Sequence, residues 1–139
     1  MSAIRLDWLE NNRFEGVDSE GHTVVVSTSG PGDGLGFKPT DLLLLALAGC
    51  TSVDVVNILQ KKRQMLTSLR VEMSGEQDAD PPWAFRWIGM HFQLQGRALT
   101  NEGVRQAVAL AEGKYCSVAA TLRPGVEIRT SYEILPPGG

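Results

Sequence analysis

The stretch KPTDLLLLALAGCTSVDVVNILQKKR, residues 38–63, decides the fold of this chain. It predicts one long helix from about Thr40 to Gln64, with Thr40 as the N-cap and the basic residues 61–63 at the end that the helix dipole favours. The first half is apolar all round, which in a soluble protein means burial on every side. One chain of 139 residues can hardly surround such a helix, so we expect a second copy to cover part of it.

The apolar run Leu42–Cys50 resembles two kinds of membrane signal, and neither fits well. Its last four residues read like a lipoprotein cleavage box, but a secretory signal occupies roughly the first 15–30 residues, and here these are mixed and charged. A membrane span needs about 20 apolar residues, whereas this run meets Thr51 and Asp54 first. We therefore expect a cytoplasmic protein without a membrane partner.

Length and composition predict a single globular domain over residues 1–139, since 42% of the residues are hydrophobic and 21% charged. A net charge of −3 gives no basic face for nucleic acid. Two cysteines are too few for a disulfide scaffold, His22 and His91 stand apart, and no metal-binding spacing is present. We expect neither a metal nor another bound cofactor.

Alternating apolar and polar residues predict strands on both sides of the long helix. Before it, Ile4, Leu6 and Trp8 alternate with charged residues, and a tight turn is expected at residues 11–12. After it, alternation recurs around residues 69–74, 88–95 and 126–134. A helix from about Asn101 to Glu112, stopped by Gly113, and a shorter one near Cys116 complete the order. The fold class is α+β, with antiparallel sheets packed on helices.

Cys50 begins a polar stripe on the otherwise apolar long helix. Cys50, Asp54, Asn57 and Lys61 follow the spacing of a single helix face. Such a stripe predicts a cleft along the helix rather than solid core. The residues leave two interpretations of Cys50 open, because a free cysteine can be a small buried filler or a reactive thiol.

Cys116 lies in EGKYCSVAATL, where a turn leads into the shorter helix. Backbone N–H groups at such a position would stabilise a thiolate and lower the pKa of Cys116. Alternatively, Tyr115 and Cys116 only anchor the turn in the core. Two cysteines at helix positions favour a redox pair, although their spacing does not show that they meet.

The long-helix segment and YCSVAATL together resemble the OsmC/Ohr family, over nearly the whole chain. The resemblance implies an OsmC-like intertwined homodimer with the long helices at its centre and a thiol site at each interface. It also implies a thiol-dependent peroxidase of oxidative-stress defence that reduces organic hydroperoxides to alcohols. Cys50 would attack the peroxide and Cys116 would resolve the sulfenate. An external dithiol would then reduce the disulfide.

Arg13, in NNRFEG, matches the arginine of this family. Because Cys50 lies well inside its helix, that helix's own dipole helps little and desolvation raises the pKa of Cys50, so we expect a cation to stabilise the thiolate. The family glutamate at the start of the long helix is replaced here by Thr40, beside Asp41. Thr40, Asp41 and Asp54 are the candidate supports for Arg13, although a carboxylate at Asp54 also opposes a thiolate nearby.

The alternative function is a non-catalytic OsmC-like dimer that binds a small apolar or electrophilic molecule in its interface pocket. The missing glutamate and the apolar surroundings of Cys50 favour this alternative.

Overall fold

The computed structural model describes residues 3–28, 30 and 34–137, which form two compact units divided between residues 43 and 44. The order of elements is the predicted one: three strands, a long helix, two strands, two short helices and a strand. The predicted α+β class is confirmed. The assignment of residues 1–139 to a single domain stays a prediction.

The first unit contains an antiparallel meander of three strands. These are β1 (Arg5–Glu10), β2 (Arg13–Val17) and β3 (Thr23–Ser27), in the order β1-β2-β3. The turn predicted at residues 11–12 is present, with Asn11 at a left-handed φ of 48°, a conformation that asparagine tolerates. In the next turn Asp18 Oδ1 accepts the backbone N–H groups of Glu20 and His22.

The long helix α1 spans Pro39–Lys61. It begins one residue earlier than predicted, because a proline at the first helical position has no N–H that would need a partner. Thr40 is therefore the second residue of α1, and its prediction as the N-cap is wrong. At the other end Arg63 adopts a left-handed φ of 59°, the usual geometry just beyond a helix, so α1 ends before Gln64.

A single chain leaves much of α1 exposed. Leu47, Val55 and Leu59 are fully buried, but Leu45 is 52% and Val53 60% exposed. By length and hydropathy alone α1 could also cross a membrane, with a mean hydropathy of 2.1 over a window that is 28% buried. Core helices of soluble proteins and signal sequences meet the same criterion. The expectation that this protein has no membrane partner stays a prediction.

The second unit contains a three-stranded sheet in the order β4-β5-β6: β4 (Met65–Gln77), β5 (Phe85–Arg97) and β6 (Glu127–Ile134). β4 and β5 pair antiparallel, but β5 and β6 pair parallel, so the antiparallel prediction is wrong for the last strand. Parallel neighbours need a crossover of a dozen residues or more. The helices between β5 and β6 form that crossover.

The crossover consists of α2 (Asn101–Leu110), a π-helical turn (Ala111–Tyr115) and α3 (Ser117–Leu122). The predicted stop at Gly113 is wrong, because Gly113 does not adopt the left-handed conformation that ends helices. The wide turn instead continues to Cys116, whose N–H donates to the Ala111 carbonyl. Cys116 is extended (φ −77°, ψ 112°) and becomes the N-cap of α3.

The core of the second unit lies between α1, the sheet and the crossover helices. The inward face of β5 follows the predicted alternation and is at most 1% exposed at Ile88, Met90, Phe92 and Leu94. Buried residues of the helices belong to the same cluster: Leu47, Val55, Leu59, Val104, Ala107, Val108, Ala111, Cys116 and Ala119. Cys50 packs against the edge of this cluster and is half-buried.

Candidate active site

The structure brings Cys50 and Cys116 together where the middle of α1 passes the start of α3. Cys50 Sγ lies 3.9 Å from Ser117 Oγ, and Thr51 Oγ1 lies 3.4 Å from Cys116 Sγ. Both cysteines are free thiols. Cys50 is half-buried, whereas Cys116 is only 2% exposed. The two thiols therefore share one site but differ in their access to solvent.

Each sulfur is positioned by the local structure of its helix. Cys50 and Thr51 are consecutive on α1, so their side chains leave the helix about 100° apart. Cys116 is the N-cap of α3, and its Sγ accepts the Ala119 N–H over 3.3 Å. A cysteine thus occupies a position where serine or threonine is usual. Cys116 Sγ is consequently held by two donors, the Thr51 hydroxyl and the Ala119 amide.

The surroundings of Cys50 favour its thiolate, and its pKa lies below the ordinary thiol value. The largest cause is a hydrogen bond from the Cys116 thiol, followed by the backbone N–H of Val118. The hydroxyl and N–H of Ser117 act in the same direction, while partial burial opposes them. Neutral donors of the second unit thus stabilise the Cys50 thiolate. The cation expected from the sequence stays a prediction.

The surroundings of Cys116 have the opposite effect, and its pKa is raised. Burial is the largest cause, because it disfavours the charged form, and the hydrogen bond with Cys50 adds to it. Thr51 and the Ala119 N–H lower the pKa of Cys116 but do not outweigh burial. The lowered pKa predicted for Cys116 is therefore wrong: the amides of Ser117 and Val118 act on the thiol of Cys50 instead.

Arg13 lies at the start of β2 and forms an ion pair with Glu10, its partner across the tight turn. The Arg13 side chain is 28% exposed. Its Nε is buried and has no hydrogen-bond partner among the described residues. Glu10 was not singled out from the sequence, although the short ENNR segment places an acid three residues before the arginine.

The candidate supports Thr40, Asp41 and Asp54 lie at two places on α1. Thr40 and Asp41 are in its first turn, where the Asp41 carboxylate suits the positive end of the helix dipole. Asp41 also lines a cavity of about 650 Å³ in the first unit, together with Phe37 and Lys38. Asp54 lies one turn beyond Cys50.

The cleft predicted from the polar stripe of α1 is confirmed. It has a volume of about 360 Å³ and lies between α1 and the crossover helices. Its lining residues are Asp54, Asn57, Ile58, Lys61, Lys62, Gln106, Leu110 and Tyr115. The two cysteines are not among these lining residues, although Tyr115 directly precedes Cys116 and Asp54 follows Cys50 by one turn.

One group of side chains in the described part of the chain has the spacing of metal ligands. Ligand atoms of Asp18, Glu20 and His22 lie within 4.8 Å of one another, and all three residues are exposed. The Asp18 carboxylate already accepts two backbone N–H groups of its own turn and contacts His22 Nδ1 at 2.8 Å. These hydrogen bonds explain the group as turn structure, and exposed acidic groups are common without an ion.

Thr51 and Ser117, which contact the two sulfurs, were also not singled out from the sequence. Each directly follows a cysteine, and Thr51 is a fully buried hydroxyl in the middle of a helix. A buried hydroxyl needs a hydrogen-bond partner. This need, at a threonine within the long helix, is the signal that could have identified Thr51.

Comparison with known proteins identifies the family and the fold of this chain. A family model described as OsmC-like protein matches residues 31–131. The Escherichia coli K12 protein YhfA is 37% identical over 131 residues, which cover 94% of this chain and 96% of YhfA. The OsmC-like protein of Mycoplasma pneumoniae has the same fold, with a TM-score of 0.85 at 16% identity over 97% of each chain.

A more distant structure has a name that refers to peroxides. The organic hydroperoxide resistance protein OhrB of Bacillus subtilis superposes with a TM-score of 0.66 at 14% identity, over 96% of this chain and 98% of OhrB. At that identity the similarity shows the fold alone. The family match over residues 31–131 and the 37% identity to YhfA, by contrast, are similarities of sequence, and the chain therefore belongs to the OsmC-like protein family.

Proposed function

We propose that this protein is a thiol-dependent peroxidase that reduces organic hydroperoxides to alcohols in defence against oxidative stress. One observation carries the proposal: Cys50 and Cys116 lie at one site, and hydrogen bonds there lower the pKa of Cys50. A thiolate, not a thiol, is the nucleophile that attacks a peroxide. The fold that this chain shares with a hydroperoxide resistance protein adds support.

In the first step the Cys50 thiolate attacks the outer oxygen of the hydroperoxide. A sulfur–oxygen bond forms, the O–O bond breaks, and the alkoxide takes up a proton to leave as an alcohol. Two electrons pass from sulfur to the peroxide, and Cys50 becomes a sulfenic acid. Because Cys50 is half-buried rather than sealed, a small hydroperoxide can approach it.

In the second step Cys116 attacks the Cys50 sulfenic acid. A disulfide forms, and the hydroxide of the sulfenic acid leaves as water with the Cys116 proton. An external dithiol then reduces this disulfide by thiol–disulfide exchange and is itself oxidised. We expect the cytoplasm as the location, because dithiol reductants keep thiols reduced there.

Arg13 is the proposed electrophilic partner of the peroxide. A guanidinium can donate to the thiolate and to a peroxide oxygen at once. Its buried Nε, without a hydrogen-bond partner among the described residues, is a donor that could serve this purpose. Glu10 would take the place of the missing family glutamate by orienting the guanidinium.

The proposed active form is a homodimer. Besides Leu45 and Val53, Ala46 and Gly49 are exposed on α1. Apart from the backbone of α1 itself, no atom of the described residues lies within 4 Å of where a Gly49 side chain would begin. Burial of such a helix face against a second copy would be favourable. We expect light scattering to show a dimer for the wild type and a monomer for Val53→Glu. The control Ser68→Glu, at an exposed position of β4, should remain a dimer. A Val53→Glu dimer as stable as the wild type would refute this interface.

The peroxidase itself is tested by the consumption of cumene hydroperoxide with dithiothreitol as the reductant. We expect rapid turnover by the wild type and by Gln60→Ala, an exposed position of the same helix, and none above background by Cys50→Ser. Equal rates for the wild type and Cys50→Ser would disprove the proposal. If both are inactive and native mass spectrometry finds a copurified small molecule, the ligand-binding alternative is favoured.

A further inference from the structure

Thr51 is a buried hydroxyl that lies beside one cysteine in sequence and contacts the other. It is 0% exposed, and its Oγ1 donates to Cys116 Sγ over 3.4 Å. A threonine inside a helix can bond to the carbonyl four residues earlier, but here the hydroxyl is directed at a sulfur. Leu47 and Val55, one turn away on either side, are apolar and fully buried. Packing alone would be satisfied by valine, so the hydroxyl needs a chemical explanation.

The contacts of Cys116 fix the direction of its own proton. Its sulfur accepts the Thr51 hydroxyl at 3.4 Å and the Ala119 N–H at 3.3 Å. Since both donors occupy lone pairs of this sulfur, the S–H group remains free to point to Cys50. That direction agrees with the hydrogen bond from Cys116 to Cys50.

We propose that Thr51 is a positioning residue that prepares Cys116 for its attack on the oxidised Cys50. The inference rests on the proposed peroxidase chemistry and concerns only its second step. It assigns the hydroxyl a role in resolution, separate from the attack on the peroxide.

During resolution the Cys116 sulfur loses its proton to the departing hydroxide while it bonds to Cys50 sulfur. Negative charge therefore develops on Cys116, which is only 2% exposed and poorly solvated by water. The Thr51 hydroxyl and the Ala119 N–H already point at the atom where this charge appears, so no rearrangement is needed. The same hydrogen bond lowers the pKa of Cys116 against the effect of burial.

The test uses dithionitrobenzoate, an aromatic disulfide that releases a coloured thiolate, and needs no peroxide. Attack by Cys50 releases the first equivalent and leaves a mixed disulfide on Cys50. Attack by Cys116 on Cys50 sulfur then forms the internal disulfide and releases the second equivalent. Stopped-flow absorbance resolves the two phases in time. The measurement is repeated from pH 6 to about pH 9, a range that spans the pKa of an ordinary thiol.

We expect Thr51→Val, which keeps the volume and loses the hydroxyl, to slow the second phase about fivefold, the effect of one ordinary hydrogen bond. Its pH profile should move to higher pH, because the pKa of Cys116 rises without the donor. The first phase should remain as fast as in the wild type. Thr51→Ser, which keeps the hydroxyl, should restore the wild-type second phase and its profile.

Two results would overturn the proposal. The first is a second phase in Thr51→Val that is as fast as in the wild type. The other is a second phase in Thr51→Ser that is as slow as in Thr51→Val. If Thr51→Val does not fold, Thr51→Ala and Thr51→Ser form the second pair, which differs only by the hydroxyl. Equal second phases in that pair refute the role of Thr51. Failure of the peroxidase proposal looks different: the wild type then consumes no hydroperoxide, while both coloured phases remain measurable.

Discussion

The two thiols of this protein share one site, yet their surroundings act on them in opposite directions. Cys50 is half-buried and receives hydrogen bonds from Cys116, Ser117 and Val118, so its pKa is lowered. Cys116 is buried and donates to Cys50, so its pKa is raised. In the proposed mechanism this difference favours Cys50 as the attacking thiol and Cys116 as the resolving one, because the thiol with the lower pKa is more readily ionised.

The largest effect is expected where one sulfur is removed and the other remains. After one equivalent of cumene hydroperoxide, Cys116→Ser should accumulate a Cys50 sulfenic acid, because its resolving thiol is gone. Dimedone should label nearly all of Cys50 in Cys116→Ser and essentially none of Cys116 in Cys50→Ser. Mass spectrometry of the labelled peptides measures both. Strong labelling of Cys116 would mean that the two roles are reversed.

A smaller effect is expected from removal of the hydrogen bond between the thiols. Cys116→Ala deletes the donor that lowers the pKa of Cys50 most, so this pKa should rise and less thiolate should be present at pH 7. Alkylation of Cys50 by iodoacetamide should slow about fivefold at pH 7. At high pH, where Cys50 is ionised in every variant, the rates should converge.

The matched control for that experiment is Cys116→Ser, whose hydroxyl can still donate to Cys50. It should alkylate at a rate closer to the wild type than to Cys116→Ala. If alkylation of Cys50 slowed equally in both variants, the cause would be lost packing around the buried position rather than the lost hydrogen bond.

The smallest effect is expected at Ser117, because its hydroxyl is one of several donors and makes a long contact of 3.9 Å. Ser117→Ala should raise the pKa of Cys50 slightly and slow alkylation at pH 7 about twofold. Ser117→Thr keeps the hydroxyl and should behave like the wild type. An effect of Ser117→Ala larger than that of Cys116→Ala would contradict the order of contributions described above.

The periodic parts of the fold could be predicted from the sequence. Alternation along residues 88–95 identified the buried face of β5, and the apolar run from Leu42 identified α1, because both patterns depend only on local spacing. The direction of β6 could not be found in this way, since pairing depends on the length and path of the crossover. The predicted helix stop at Gly113 was wrong because a π-helical turn continues through this residue.

The same reasoning from local spacing identified only part of the candidate site. Cys50 and Cys116 were chosen for their chemistry, and the polar stripe of α1 correctly indicated a cleft. Their contacts, however, join residues far apart in sequence, so no spacing predicted that Thr51 would donate to Cys116. Backbone N–H groups at the start of the shorter helix were expected to act on Cys116, but only the folded chain places Cys50 against those of Ser117 and Val118.

The pKa values of the two thiols are shifted in opposite directions, and a residue-resolved titration would measure both shifts. Iodoacetamide alkylation of the reduced wild type would be followed for each cysteine by mass spectrometry across pH 5 to about pH 10, a range that spans ordinary thiol ionisation. We expect the midpoint for Cys50 to lie below that of an unperturbed thiol and the midpoint for Cys116 to lie above it. A Cys50 midpoint at or above that of Cys116 would contradict this expectation.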